Sequence, residues 1–175
     1  MKTSIDGAQF IACREALVSR AYVDGKHKDG RLKYSIGFGS QTNEPKEGDT
    51  ITIEDAFARL KADIAERDIT IRRIITAPIR QCEWDAVASL FYQSGTKALR
   101  TVGELFNAGE PIFAMAAFLQ FNKDQGVPSK GLTKRRIREM IMGVDRYYGD
   151  LSQVAFFDGN PRTAARQYMP FPANI

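Results

Sequence analysis

The stretch Ala21-Tyr22-Val23-Asp24-Gly25-Lys26-His27-Lys28-Asp29-Gly30-Arg31-Leu32-Lys33-Tyr34-Ser35-Ile36-Gly37-Phe38-Gly39 sets how this chain begins to fold. Asp29-Gly30 lies between two runs that alternate polar and apolar residues, the strongest short-range signal for a β-hairpin. A two-residue turn there places Asp24 directly opposite Ser35. Opposed residues have Cβ atoms about 4.5–5.5 Å apart, close enough for a carboxylate and a hydroxyl to hold one water between them.

Upstream of the hairpin, Ile5, Ala8, Ile11, Ala12 and Val18 recur at helical spacing with Phe10 and Leu17 on the flanks. With Ser4 or Asp6 as cap, they predict a first helix ending near Ser19. Downstream, a polar loop from Gln41 to Asp49 leads to Thr52 and Asp55, which mark the start of a long helix. Its stripe is Ile53, Phe57, Leu60, Ile64, Ile71 and Ile74. Pro78 breaks the chain, and residues 81–92, with Trp84, Val87, Ala88, Leu90 and Phe91, read as a buried helix closed by Gly95. Short helices follow at 102–106 and from Pro111, where proline suits a first turn. Residues 133–142 form another, with Lys134, Arg135, Arg136 and Arg138 largely outside.

The fold class is therefore α+β and mainly α. A small N-terminal β-hairpin lobe precedes a larger helical lobe, and a long helix joins them. Residues 1–148 read as one domain, with 149–175 as an extension packed on it, because Phe156, Phe157, Tyr168 and Phe171 in that tail prefer burial.

With 175 residues, 43% hydrophobic and 26% charged, the composition is that of a globular domain and excludes disordered, collagenous and low-complexity classes. No run approaches the ~20 apolar residues of a membrane span. Stable membrane insertion is not expected. Met1 to Gly7 lack the apolar stretch of a secretory signal, which predicts synthesis in a cytoplasm. Lys plus Arg exceed Asp plus Glu by four, favouring polyanionic surroundings. Cys13 and Cys82 stand far apart and read as buried thiols, with no metal set and no disulfide framework. His27, the one histidine, reads as an exposed loop residue. The basic run at Lys134 to Arg138 brings no base-stacking signature, so nucleic acid is not an expected partner.

Glu15, near the end of the first helix, and Asp24, nine residues on, can face one cleft. Glycoside hydrolysis needs such a pair: one carboxyl protonates the leaving oxygen while the other, ionised, acts on water or sugar. Spacing alone does not separate this reading from a solvated Glu, a turn Asp and a filler Ser.

The order of motifs does. Glu15, Ala21-Tyr22-Val23-Asp24, Tyr34-Ser35-Ile36-Gly37-Phe38-Gly39, Gly48-Asp49-Thr50-Ile51-Thr52, Gln81-Cys82-Glu83-Trp84-Asp85-Ala86-Val87 and Gly131-Leu132-Thr133-Lys134-Arg135-Arg136 resemble, over residues 5 to 148, the bacteriophage-type lysozymes (endolysins) of glycoside hydrolase family 24. The resemblance implies a lysozyme-like fold with its cleft between the hairpin region and the helical lobe. It also implies a muramidase cutting the β-1,4 bond between N-acetylmuramic acid and N-acetylglucosamine for wall lysis by a phage or prophage. Glu15 falls at the family's general acid and Asp24 at its second carboxylate. Ser35 stands where the family usually has threonine to orient the attacking water, and Ser40 where it often has histidine. Tyr92-Gln93-Ser94-Gly95 looks like the segment at the cleft edge, making Tyr92 and Gln93 saccharide contacts, with Gln41 and Thr101 behind them.

No cofactor and no metal are implied. The expected partner is bacterial peptidoglycan, met by a monomer that is released through a holin or carried in a virion. The site of action is the wall, in the periplasm of a Gram-negative host. Two alternatives stay open: a non-catalytic peptidoglycan-binding or virion structural protein on the same fold, and a lytic transglycosylase.

Overall fold

A computed structural model describes residues 1–27, 29–39 and 45–172. Its elements in chain order are α1 (Ile5–Glu15), β1 (Leu17–Lys26), β2 (Leu32–Gly37), α2 (Ile53–Ile74), α3 (Gln81–Asn107), α4 (Pro111–Ala117), a 3-10 turn (Phe118–Phe121), β3 (Lys123–Asp124), β4 (Val127–Pro128), α5 (Lys130–Asp145), β5 (Gln153–Phe157) and β6 (Gln167–Pro170). The chain forms two compact units. One comprises Met1–Ile11 and Ile64–Gly149, the other Ala12–Asp63 with the segment from Asp150 on.

In the helical unit, the Ser4 hydroxyl accepts the Gly7 N–H at 3.0 Å and so caps α1, a contact of about 1 kcal/mol. Ser4 also donates to Asp85, and its neighbour Thr3 donates to Asp68, so two buried carboxylates fasten the N-terminus to α3 and α2. Asp68 and Asp85 each accept from a second partner: Trp84 Nε1 donates to Asp68 at 2.9 Å, and the Tyr148 hydroxyl to Asp85 at 2.6 Å. A Cβ on Gly7 would stand 2.6 Å from the Asp85 carboxyl, so only glycine lets α1 approach this closely. Gly95 interrupts α3 with φ 74° and ψ −172°, a conformation open to glycine. The buried helix thus ends where the sequence placed its stop, and a second helical stretch begins at once rather than at Val102.

The other unit is built on a mixed sheet ordered β2-β1-β5-β6. The sequence announced only a hairpin, but β5 runs parallel to β1, with Leu17 opposite Phe156 and Val18 opposite Phe157, and β6 pairs antiparallel to β5. The tail therefore supplies half of the sheet's strands. Val154 and Phe157 join Leu17, Val18, Ile36, Phe38 and Phe57 in its core, and the Phe38 and Phe57 rings meet at 4.8 Å. Tyr168, expected inside, is 61% exposed, because β6 is an edge strand with one face to solvent.

Three further expectations are corrected. Helix α1 stops at Glu15, not Ser19. Ala16 takes the left-handed conformation (φ 59°) and the strand starts at Leu17, since pairing with both β2 and β5 outweighs the helical spacing of Leu17 and Val18. Ile5, placed on the apolar stripe, is 62% exposed, whereas its flank residue Phe10 is buried. On α5, Arg135 and Arg136 are buried instead of solvated. Glu139 is buried in the same helix and takes both guanidinium groups, Arg135 Nε at 3.1 Å and Arg136 Nε at 2.8 Å. A buried carboxyl needs such partners, and helical spacing of three and four residues puts them there.

Candidate active site

The hairpin register is the largest departure from expectation, and it reshapes the site. At the hairpin loop the ladder closes with the His27 N–H on the Arg31 carbonyl at 2.8 Å, and Lys26 stands opposite Leu32 rather than the Lys33 that a two-residue Asp29-Gly30 turn requires. Gly30 in that loop has φ 87°. Pairing then runs Lys26 to Leu32 and Gly25 to Lys33, skips Asp24, and resumes with Val23 to Tyr34 and Tyr22 to Ser35. Asp24 is the extra residue of a β-bulge and is not opposite Ser35. Bulges re-aim side chains, and this one turns the exposed Asp24 carboxylate so that the Ser35 hydroxyl donates directly to Oδ2 at 3.0 Å. That contact leaves no room for a water between them. Ser35 is 0% exposed, so it fixes the carboxylate and does not itself face solvent.

A second break in the β1–β2 ladder falls between Val18 and Tyr22. There β1 pairs instead with the segment after β2: the Ala21 N–H donates to the Asp49 carbonyl and the Ile51 N–H to the Ser19 carbonyl, both at 2.9 Å. The strand is thus held on both sides of the residues that lead to Asp24.

Glu15 is the last residue of α1 and half-buried. Its Oε2 lies 3.8 Å from where a Cβ on Gly39 would stand, so the exit of β2 passes beside it. The Tyr22 phenol is influenced by both carboxylates. It is pushed up to about 12, first by burial and next by Asp24; Arg162 opposes the shift and Glu15 adds to it. In the sequence Tyr22 stands out only as part of the motif Ala21-Tyr22-Val23-Asp24. Its pairing with Ser35, visible only once the bulge is known, is what brings it into this group.

Cys13, two residues before Glu15, is half-buried rather than buried. Its thiol donates to the Gln153 carbonyl at 3.3 Å, and burial raises its pKa. His27 is exposed, as read from the sequence, and with Arg31, Lys33, Tyr34, Lys46 and Glu47 it borders a cavity of about 270 Å³ at the hairpin tip.

Tyr92, Gln93 and Thr101 belong to the helical unit. Arg67 stacks its guanidinium over the Tyr92 ring, 4.3 Å from the centroid. Gln93 is exposed, and its Oε1 accepts from the Ser94 hydroxyl at 2.7 Å. Ser94 in turn accepts from buried Arg136 at 2.6 Å, so the ion cluster on α5 reaches the amide through one hydroxyl. Thr101 spends its hydroxyl proton on the Lys97 carbonyl within its own helix, at 3.1 Å. Ser40 and Gln41 lie outside the described residues.

A carboxylate aimed by a bulge, a second at the end of the helix feeding that strand, and a helix-rich remainder define a lysozyme-like α+β protein. The chain belongs to the phage lysozyme family, whose model matches residues 13–139. It is 33% identical over 148 residues to the endolysin of Acyrthosiphon pisum secondary endosymbiont phage 1, covering 81% of this chain and 97% of that one. It is also 28% identical over 166 residues to the endolysin of Bacillus phage B103, covering 94% of this chain and 61% of the relative. The chain thus spans about three fifths of the length of the Bacillus phage relatives it matches. Among solved structures, the endolysin from Escherichia coli O157:H7 phage FAHEc1 superposes with a TM-score of 0.74 at 30% identity, covering 86% of this chain and 98% of that one.

Proposed function

We propose that this chain is a muramidase that hydrolyses the β-1,4 bond between N-acetylmuramic acid and N-acetylglucosamine in the bacterial wall, with Glu15 and Asp24 as its catalytic pair. The observation that carries the reading is the Ser35-to-Asp24 hydrogen bond at the bulge, in a unit that also holds Glu15. Family membership and the endolysin relatives support it.

In this reading the C1–O bond breaks as Glu15 gives its proton to the leaving glycosidic oxygen. A water held by Asp24 forms the new bond to C1 from the opposite face and passes its proton to Asp24, which inverts the anomeric centre. Ser35 acts through Asp24 as a positioning residue: its proton is committed to Oδ2, which fixes the rotamer that presents the other oxygen to water. Gln93 offers its amide to N-acetyl groups, and Tyr92, one face of which carries Arg67, offers its ring to a sugar. The protein works as a monomer on peptidoglycan and reaches the wall through a holin or inside a virion. Among the described residues no helix is long and apolar enough to cross a membrane.

The test is to digest purified peptidoglycan, reduce the soluble products with borohydride and identify their ends by mass spectrometry. Reduced N-acetylmuramic acid ends, absent with Glu15→Gln, are expected. Anhydro-muramic ends would replace the hydrolase by a transglycosylase, and binding without products would replace it by a wall-binding protein.

A further inference from the structure

We infer that Arg162, carried by the turn between β5 and β6, is a specificity-determining residue that binds a carboxylate of the wall substrate beside Asp24. The inference rests on the muramidase reading and adds to it the chemical class of group recognised. The residue lies beyond the 13–139 span matched by the family model, in the segment that completes the sheet.

Three features place it. First, the turn leaves β5 alongside the catalytic strand. Phe157 is opposite Val18, the Asp158 carboxylate accepts from the Ser19 hydroxyl at 3.0 Å, and it pairs with Arg20 at 3.6 Å. Those contacts fix the start of the turn three residues before Tyr22 and five before Asp24. Second, the turn is internally ordered. The Asn160 side chain accepts the Arg162 N–H at 2.9 Å, while its carbonyl accepts from Thr163 and Ala164 at 3.0 and 2.8 Å. Arg162 is therefore presented from a fixed backbone. Third, its side chain is exposed and makes no ion pair or hydrogen bond among the described residues, whereas Arg20 on β1 is engaged by Asp158 at the start of the turn. The influence of Arg162 on the Tyr22 phenol, set against those of Asp24 and Glu15, agrees with this placement.

The chemistry explains the need. A site built on two carboxylates repels a polymer whose peptide stems carry carboxylates of their own. An uncommitted guanidinium at its margin reverses that repulsion locally and can grip a carboxylate with two parallel N–H bonds. Lysine, a point charge, would recover attraction but not the fork.

The experiment compares the full chain and its Arg162→Ala and Arg162→Lys variants on native wall fragments and on fragments whose carboxylates have been converted to methylamides. On native fragments Arg162→Ala is expected to raise KM about tenfold, the size of one exposed charge-assisted contact, with kcat within about twofold and partial recovery in Arg162→Lys. On methylamide fragments wild type and Arg162→Ala should be equal. An unchanged KM on native fragments, or an equal loss on both substrates, overturns the inference. Equilibrium binding of the same two fragments to Glu15→Gln and to Glu15→Gln/Arg162→Ala separates it from the muramidase reading. Absence of turnover by wild type removes that reading, while the binding difference decides the carboxylate contact by itself.

Discussion

Two regions of this molecule use the same three parts, a carboxyl group, a serine hydroxyl and arginine, to opposite ends. On α5, Glu139 is enclosed: Arg135 and Arg136 flank it, the Ser89 hydroxyl donates to it at 2.6 Å, and all four residues are buried. Burial pushes the Glu139 carboxyl up while the two guanidinium groups pull it back. On β1, Asp24 is exposed and takes one serine, with Tyr22 near it and Arg162 at the margin. Enclosure commits the Glu139 carboxyl to its neighbours in the fold, whereas exposure leaves an Asp24 oxygen open to water, as the proposed reaction requires. What separates the two is solvent access, set in one case by the packing of α3 against α5 and in the other by a single bulged residue.

The comparison breaks first if the exposed region carries stability or the enclosed one carries the chemistry. Glu15→Gln should cost about 10²–10⁴-fold in the rate of reducing-end release, the contribution of a positioned general acid. Its unfolding midpoint in urea should match wild type. Arg136→Met should do the reverse. Leaving a buried carboxyl with half its cationic partners costs about 3–5 kcal/mol, read as a drop in the urea midpoint at constant slope. Arg136 also holds Ser94 and, through it, Gln93, so at permissive temperature the variant should show a raised KM.

These two regions were unequally legible in the sequence. Glu15, Asp24 and Ser35 were candidates because hydrolysis demands a carboxyl pair and the hairpin signal at Asp29-Gly30 brings Asp24 and Ser35 close, but only the resemblance to the phage-type lysozymes set them above a solvated Glu, a turn Asp and a filler Ser. The proximity of Asp24 and Ser35 survived although the register and the intervening water did not: the pairing of Lys26 with Leu32 and the bulge at Asp24 each shift the ladder, and neither leaves a mark in an alternating pattern. Arg135 and Arg136 were misplaced for a different reason. A run of four cations in five residues on a helix ordinarily faces water, and only the burial of Glu139, a tertiary fact, reverses it. The strands β5 and β6 escaped notice because Phe156, Phe157, Tyr168 and Phe171 stand among prolines and signal burial without declaring a partner. The stop at Gly95 and the start at Pro111 were readable because backbone chemistry is local.

Ser35 sharpens the comparison at a smaller scale. Ser35→Ala removes a fully buried hydroxyl that acts only through Asp24, and is expected to lower kcat about tenfold, the order of one hydrogen bond to a charged group, with KM unchanged. Ser35→Thr keeps the donor and should recover most of the rate. If alanine lowered stability without touching kcat, Ser35 would be scaffold, like Ser89.

The smallest effect reads the electrostatics of the exposed region without substrate. The Tyr22 phenol is raised from 10 to about 12, so the folded chain keeps a proton that the unfolded chain releases. Its contribution to stability is present in full below pH 10 and is lost as pH rises through 12. Tyr22→Phe should therefore flatten the fall in melting temperature between those values, and subtracting its absorbance titration at 295 nm from that of wild type should isolate one transition near pH 12. Asp24→Asn should move that transition down, since Asp24 is its second cause after burial, and Arg162→Ala should move it up. Opposite signs from these two substitutions are what a phenol standing between a carboxylate and a guanidinium requires. Equal and absent shifts would mean that burial alone raises Tyr22, and that the open group on β1 is a set of independent side chains rather than one charge system.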